Sequence, residues 1–143
     1  MRRAGSLAVA VSLAAALSAA PVSAATTTYS AEMTAGEEVP TPGPAGGEGT
    51  AEVVLDPDAG QLCYTLTYSG IGKPTAAHIH HGVKGEAGPV AVDFEYAKNG
   101  DQGCVPVDAA ELEDIGKTPA DHYVNVHTAR YPNGAIRGQL GPA

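Results

Sequence analysis

The chain has 143 residues, eight Lys and Arg against 16 Asp and Glu, no Trp and one Phe. This length suits one small domain, and the scarcity of large apolar side chains disfavours a long helical bundle. The formal net charge of −8 argues against nucleic-acid binding, because phosphate recognition needs clustered Lys and Arg. We therefore expect one small, acidic domain that does not bind nucleic acid.

The first 24 residues have the pattern of a secretory signal peptide. Arg2 and Arg3 precede an uncharged run of Ala, Val, Leu and Ser, and the small residues that follow fit a cleavage site. The apolar run is too short for a membrane span. The predicted organisation is a signal peptide over residues 1–24 and one domain over residues 25–143. We expect a secreted, extracellular monomer that has no membrane attachment after cleavage.

The two cysteines predict a disulfide bond. Cys63 and Cys104 are the only pair in the chain, and their separation does not resemble the short spacing of a metal-binding cysteine motif. An exported protein meets an oxidising environment, in which such a pair forms a bond. Since Cys63 alternates with the apolar Leu62 and Tyr64, we expect the bond on the outer side of a sheet.

Alternation of apolar and polar residues predicts most of the secondary structure as strands. A first strand is expected at Tyr29–Met33, followed by a Pro- and Gly-rich loop over 37–47. Four further stretches each place apolar side chains on one face: Ala51, Val53 and Leu55; Leu62, Tyr64, Leu66 and Tyr68; Val90, Val92 and Phe94; and His122, Val124 and Val126. A final strand is predicted at Ile136–Leu140, after a Pro-Asn-Gly turn.

Only residues 108–115 have a helical pattern, in which Asp108 is expected to cap the helix and Glu111 to complete a capping box. Short strands with one short helical turn predict an all-β fold, either an antiparallel sandwich or a partly closed barrel.

The most informative segment is Ala-Ala-His-Ile-His-His-Gly at 76–82. On a strand, His78 and His80 point to one face, and the apolar residues between and before them point to the core. The same parity in residues 123–127 places Asn125 and His127 with Tyr123 on the outer face. If the two strands are near neighbours, His78, His80 and His127 converge.

Two interpretations of the three histidines are open. Three imidazoles suit Zn²⁺ or Cu²⁺ and leave one coordination position open. In the structural alternative, the imidazoles bond to loop carbonyls and to Tyr123, and so brace the Gly-rich loop that follows. Asp93, on the outer face nearby, is either a fourth ligand or a surface residue.

Other titratable residues are weaker candidates. His81 and His122 have the opposite parity, so they would join the three histidines only if a bulge intervened. The acidic pairs Glu37-Glu38 and Glu113-Asp114 are expected to be solvated surface. The sequence has no Gly-x-Ser-x-Gly motif, and neither a nucleophile with its base nor a paired-carboxylate site can be assembled from it. We therefore expect a non-enzymatic protein.

Two motifs resemble a known family. The segment 77–82, with Gly85 and Gly88 behind it, and the segment 123–128, leading to 132–140, look like the CHRD domain, named after chordin. The likeness covers about Tyr29 to Leu140. It implies an exported immunoglobulin-like, Greek-key β-sandwich that acts as a binding or structural module of the cell exterior, with an extracellular or cell-surface partner. The motif residues are Gly82, Gly85, Gly88, Asn125 and Arg137.

The chain departs from the family at one position, because family members usually carry an acid where this chain has Ala135. The resemblance therefore implies that a carboxylate able to act as a ligand, or as the partner of Arg137, is missing.

His-x-His on a β-sandwich strand is also similar to copper/zinc superoxide dismutases, by analogy of fold. The further metal-binding histidines of those enzymes have no obvious counterparts here. The His-x-His analogy makes a copper-dependent redox protein the alternative function.

Overall fold

The computed structural model describes residues 20–143. Most of the predicted signal peptide, residues 1–19, lies outside the described residues. Within the described part of the chain, no helix has the length and apolar character needed to cross a membrane.

Residues 20–143 form nine strands and two α-helices. The strands are β1 (Thr27–Thr34), β2 (Glu48–Asp56), β3 (Gln61–Ser69), β4 (Pro74–His81), β5 (Val90–Asp93), β6 (Gln102–Pro106), β7 (His122–Thr128), β8 (Ile136–Gln139) and β9 (Gly141–Pro142). The helices are α1 (Tyr96–Asn99) and α2 (Ala109–Lys117), with 3₁₀ turns at Ala35–Glu37 and Pro119–Asp121. The predicted all-β class is confirmed, whereas α1 is a second helical turn that the sequence did not predict.

The strands form one antiparallel sheet in the order β5-β4-β7-β8-β1-β2-β3-β6, with β9 paired to β1. Its two ends approach each other, because the ring of Tyr64 on β3 stacks on that of Phe94, next to β5, with 4.1 Å between centroids. The Tyr64 hydroxyl also donates a hydrogen bond of 3.1 Å to the Phe94 carbonyl oxygen. The sheet is therefore nearly closed and barrel-like.

The core lies inside this sheet, where the alternating apolar residues predicted on β2 and β3 are buried, except for Tyr68, which is half-buried. Val92 and Phe94 are buried as well, but Val90, at the start of the edge strand β5, is 51% exposed.

The expected disulfide is present between Cys63 and Cys104, which lie directly opposite each other on β3 and β6. Cys104 is exposed, so the bond lies on the outer side of the sheet, as predicted.

Helix α2 packs Leu112 and Ile115 against the core. Asp108 occupies the N-cap position, but its side chain makes no capping hydrogen bond. The expected capping box is therefore wrong. The Glu111 carboxylate instead lies 3.3 Å from the imidazole of His81.

Candidate metal centre

Strand β7 is buried along its whole length. One face, with Val124 and Val126, belongs to the core. The other face carries Tyr123, Asn125 and His127, as the parity predicts, and is covered by loops. The 82–89 loop contacts Tyr123 through the Gly88 amide, and the loop after β7 contacts His127 through a backbone carbonyl. Polar side chains on this face are thus held in a partly dehydrated environment.

The structure brings the three predicted histidines together on this face. His78 and His80 lie on β4, and His127 lies on the adjacent strand β7. The Nδ1 atom of His78 is 3.0 Å from Nε2 of His127. Each residue offers one ligand nitrogen, and the three nitrogens lie within 4.8 Å of one another. This arrangement is called the three-histidine cluster below.

Hydrogen bonds to the backbone fix the tautomers of two imidazoles. Nδ1 of His80 donates to the Gly88 carbonyl oxygen at 2.9 Å, and Nδ1 of His127 donates to the Pro132 carbonyl oxygen at 2.9 Å. Because a carbonyl oxygen only accepts, each Nδ1 carries the proton and each Nε2 carries a lone pair. Metal-binding histidines commonly use this arrangement. Loop bracing and metal binding therefore use different nitrogens and are compatible.

Burial keeps the cluster uncharged. Desolvation lowers the pKa of His78 and of His80 below the ordinary value, and it lowers the pKa of His127 to about 4. The proximity of His78 contributes to the lowered pKa of His127. At neutral pH the three rings are therefore neutral, which is the form that binds a metal ion.

Asp93 lies at the edge of the cluster. Its Oδ1 is 3.8 Å from Nε2 of His78 and accepts a hydrogen bond from the Glu95 amide at 2.8 Å. The side chain is 64% exposed. It faces the nitrogen of His78 that points away from His127, so it is placed to interact with His78 from outside the cluster.

Arg137, a predicted motif residue, anchors the loop that covers the cluster. Although it carries a charge, it is only 2% exposed. Its guanidinium donates to the carbonyl oxygens of Glu86 at 2.8 Å and Val83 at 3.4 Å. It also lies over the ring of Tyr123, 3.5 Å from the centroid. The carbonyls of the loop and the aromatic face compensate the burial of this cation.

The predicted glycines shape the same loop. Gly88 approaches β4 so closely that a Cβ atom would collide with the carbonyl oxygen of His81. Its own carbonyl binds His80, and its amide donates to the Tyr123 hydroxyl at 3.2 Å. The carbonyl of Gly82 accepts from Gln139 at 3.0 Å, and Gly85 forms the turn with a φ of 85°.

Asn125 binds a buried acid that the sequence analysis assigned to the surface. Its Nδ2 donates to the Ile136 carbonyl oxygen at 3.2 Å and to the Glu38 carboxylate. Glu38 is 5% exposed, so its expected solvation is wrong. Burial raises its pKa to about 7, against the opposing effects of Arg137 and Asn125.

Glu38 also provides a carboxylate in the region where the family usually has an acid at the position of Ala135. That alanine is fully buried. The positive charge of Arg137 favours the ionised form of Glu38. A signal was present in the sequence, because Glu38 belongs to the segment from Ala31 to Pro40, which resembles the start of the family's domain.

His81 and His122 lie on the opposite face of β4 and β7, as their parity predicts. They are direct cross-strand partners, and their rings are 4.8 Å apart between centroids. They face helix α2 and do not contribute to the three-histidine cluster.

Residues 29–140 match a protein-family model that is described as the CHRD domain. The comparisons with curated proteins and with solved structures find no match.

Proposed function

Because the chain belongs to the CHRD domain family, we propose that it is a secreted binding or structural module of the cell exterior that carries a metal site. Its partner is an extracellular or cell-surface protein, and the metal ion is Cu²⁺ or Zn²⁺, held by His78, His80 and His127. The disulfide on the outer side of the sheet supports an oxidising compartment. The family also implies an immunoglobulin-like, Greek-key sandwich, and the antiparallel all-β sheet supports the coarser part of that expectation.

One observation carries the metal proposal. The imidazoles of His80 and His127 each donate Nδ1–H to a loop carbonyl, and their ligand nitrogens lie within 4.8 Å of that of His78. Nε2 of His80 is buried and has no hydrogen-bond partner among the described residues. A buried lone pair without a partner is costly, and a bound cation would remove that cost. Three imidazoles bind Cu²⁺ more tightly than Zn²⁺, following the Irving–Williams order.

Calorimetric titration of tag-free protein with Cu²⁺ at pH 7.5 tests the proposal. His78→Ala removes one ligand and no loop hydrogen bond, so it should weaken binding at this site by at least about 10-fold. Asp93→Asn is the matched control, because it removes the neighbouring charge and retains an oxygen for the Glu95 amide. Its affinity should stay within about 3-fold of wild type. Equal binding by wild type and His78→Ala would contradict the proposal.

The second candidate is a copper-dependent redox protein, which the open position beside three imidazoles favours. Superoxide removal by the copper-loaded protein, compared with His80→Ala, distinguishes the two functions. Activity that is present in wild type and lost in the variant would favour the redox enzyme over the binding module.

A further inference from the structure

A second group of potential ligands lies on the inner face of the sheet, at its end. His81 and His122 are paired across β4 and β7, and Glu111 and Asp114 project from successive turns of α2. Nε2 of His81 is 3.3 Å from Oε1 of Glu111, and Nε2 of His122 is 3.5 Å from Oδ2 of Asp114. One ligand atom from each of the four residues lies within 4.8 Å of the others.

Burial makes this group different from an ordinary acidic cluster. The side chain of His122 is 1% exposed, and its Nδ1 donates to the Thr118 carbonyl oxygen at 2.9 Å. In the neutral ring the lone pair therefore resides on Nε2, which has no hydrogen-bond partner among the described residues. Oε1 of Glu111 is also buried without a hydrogen-bond partner there. A nitrogen lone pair thus faces carboxylate oxygens, which only accept.

A cation between these acceptors would stabilise the fold, because unpaired buried polar atoms and facing acceptors are costly. Two imidazole nitrogens and two carboxylate oxygens match the ligands and the coordination number of Zn²⁺. Ca²⁺ is disfavoured, since it takes six to eight oxygen ligands.

We propose that His81, Glu111, Asp114 and His122 form a zinc site that fastens helix α2 to the end of the sheet. The site is separate from the three-histidine cluster. His80 and His81 are neighbours that point to opposite faces of β4, and so do His122 and Tyr123 on β7. Zinc connects three elements here, so its main effect is structural. Binding of the metal to the folded chain alone raises stability.

The test uses a His78→Ala background, which weakens the three-histidine cluster. Protein freed of metal with a chelator is titrated with Zn²⁺. In this background Glu111→Gln should weaken binding by at least about 10-fold. Glu113→Gln is the matched control on the same helix, because Glu113 is largely exposed and forms an ion pair with Lys117. The zinc affinity of this control should equal that of the His78→Ala protein. Equal zinc binding by the Glu111→Gln and Glu113→Gln variants would overturn the proposal.

A second measurement needs no substitution. In unmodified protein, Zn²⁺ should slow amide hydrogen exchange of α2 by at least about 10-fold, since opening of the helix then requires release of the metal. The ¹⁵N resonance of Nε2 of His122 should shift at the same time. Zinc that leaves both the exchange of α2 and this resonance unchanged would also overturn the proposal, whether or not the variants fold.

Discussion

The guanidinium of Arg137 and the ring of Tyr123 are in cation–π contact, with 3.5 Å between the guanidinium carbon and the ring centroid. The imidazole of His80 is stacked on the same tyrosine at 4.9 Å, with the planes 4° apart. Since β7 lies between β4 and β8, the tyrosine ring lies between the imidazole and the guanidinium. This stack connects the residue that holds the covering loop to a residue of the three-histidine cluster.

Arg137→Lys should therefore loosen the loop and weaken metal binding together. A lysine cannot reproduce the planar contact with Tyr123 and the two carbonyl hydrogen bonds. We expect a loss of about 2 kcal/mol in the free energy of unfolding and faster amide hydrogen exchange in residues 82–89. Arg130→Lys is the control, because Arg130 is exposed and lies 5.9 Å from the ring of Tyr131. Equal exchange in both variants would show that Arg137 does not anchor the loop.

The buried Glu38 predicts a pH-dependent stability. Its pKa is about 7 in the folded protein against an ordinary 4.5, so the folded state binds more protons between these values. Stability contributed by the protonated carboxyl is present below pH 4.5 and is lost as the pH rises through 7. The free energy of unfolding should fall by about 3 kcal/mol in total across this pH range, at about 1.4 kcal/mol per pKa unit.

Urea unfolding of metal-free protein at pH 5 and pH 8 measures this effect. Glu38→Gln keeps an oxygen that accepts from Asn125 and cannot ionise, so it should gain up to about 3 kcal/mol relative to wild type between the two pH values. Glu37→Gln, which removes a half-buried partner of the exposed Lys84, should show the wild-type dependence. If the free energy of unfolding changed equally for wild type and Glu38→Gln between the two pH values, Glu38 would be ionised at pH 5 in the folded protein.

The disulfide should contribute to stability without affecting metal binding. Closing the loop between Cys63 and Cys104, 41 residues apart, removes about 4 kcal/mol of unfolded-state entropy in the chain-entropy model. The double substitution to alanine should lower the free energy of unfolding by about 2–4 kcal/mol. Because the bond joins β3 and β6, Cu²⁺ affinity should not change. A large loss of affinity would show that the closed shape of the sheet supports the cluster.

Local periodicity explains which parts of the site could be predicted from the sequence. Alternation along a strand decides which face a side chain takes, so it assigned His78, His80 and His127 to one face. It carries no information about which distant segment covers that face. The burial of Glu38 depends on the loop over residues 38–47, and the meeting of His81 with Asp114 depends on where α2 packs. Both contacts are long-range. The family-like segment around Glu38 pointed to that residue without showing what covers it, and no local pattern indicated the meeting of His81 with Asp114.

Long-range ¹H–¹⁵N correlation spectra of the histidine rings, recorded with and without Zn²⁺, test the three-histidine cluster most directly. The structure predicts that His80 and His127 keep a protonated Nδ1 and bind through Nε2. His78 binds through Nδ1, the nitrogen nearest His127, after giving up the proton that this nitrogen donates to His127 in the metal-free protein. Zinc should therefore shift Nε2 of the first two residues and Nδ1 of the third. Spectra in which these three nitrogens do not respond to zinc would contradict the metal site.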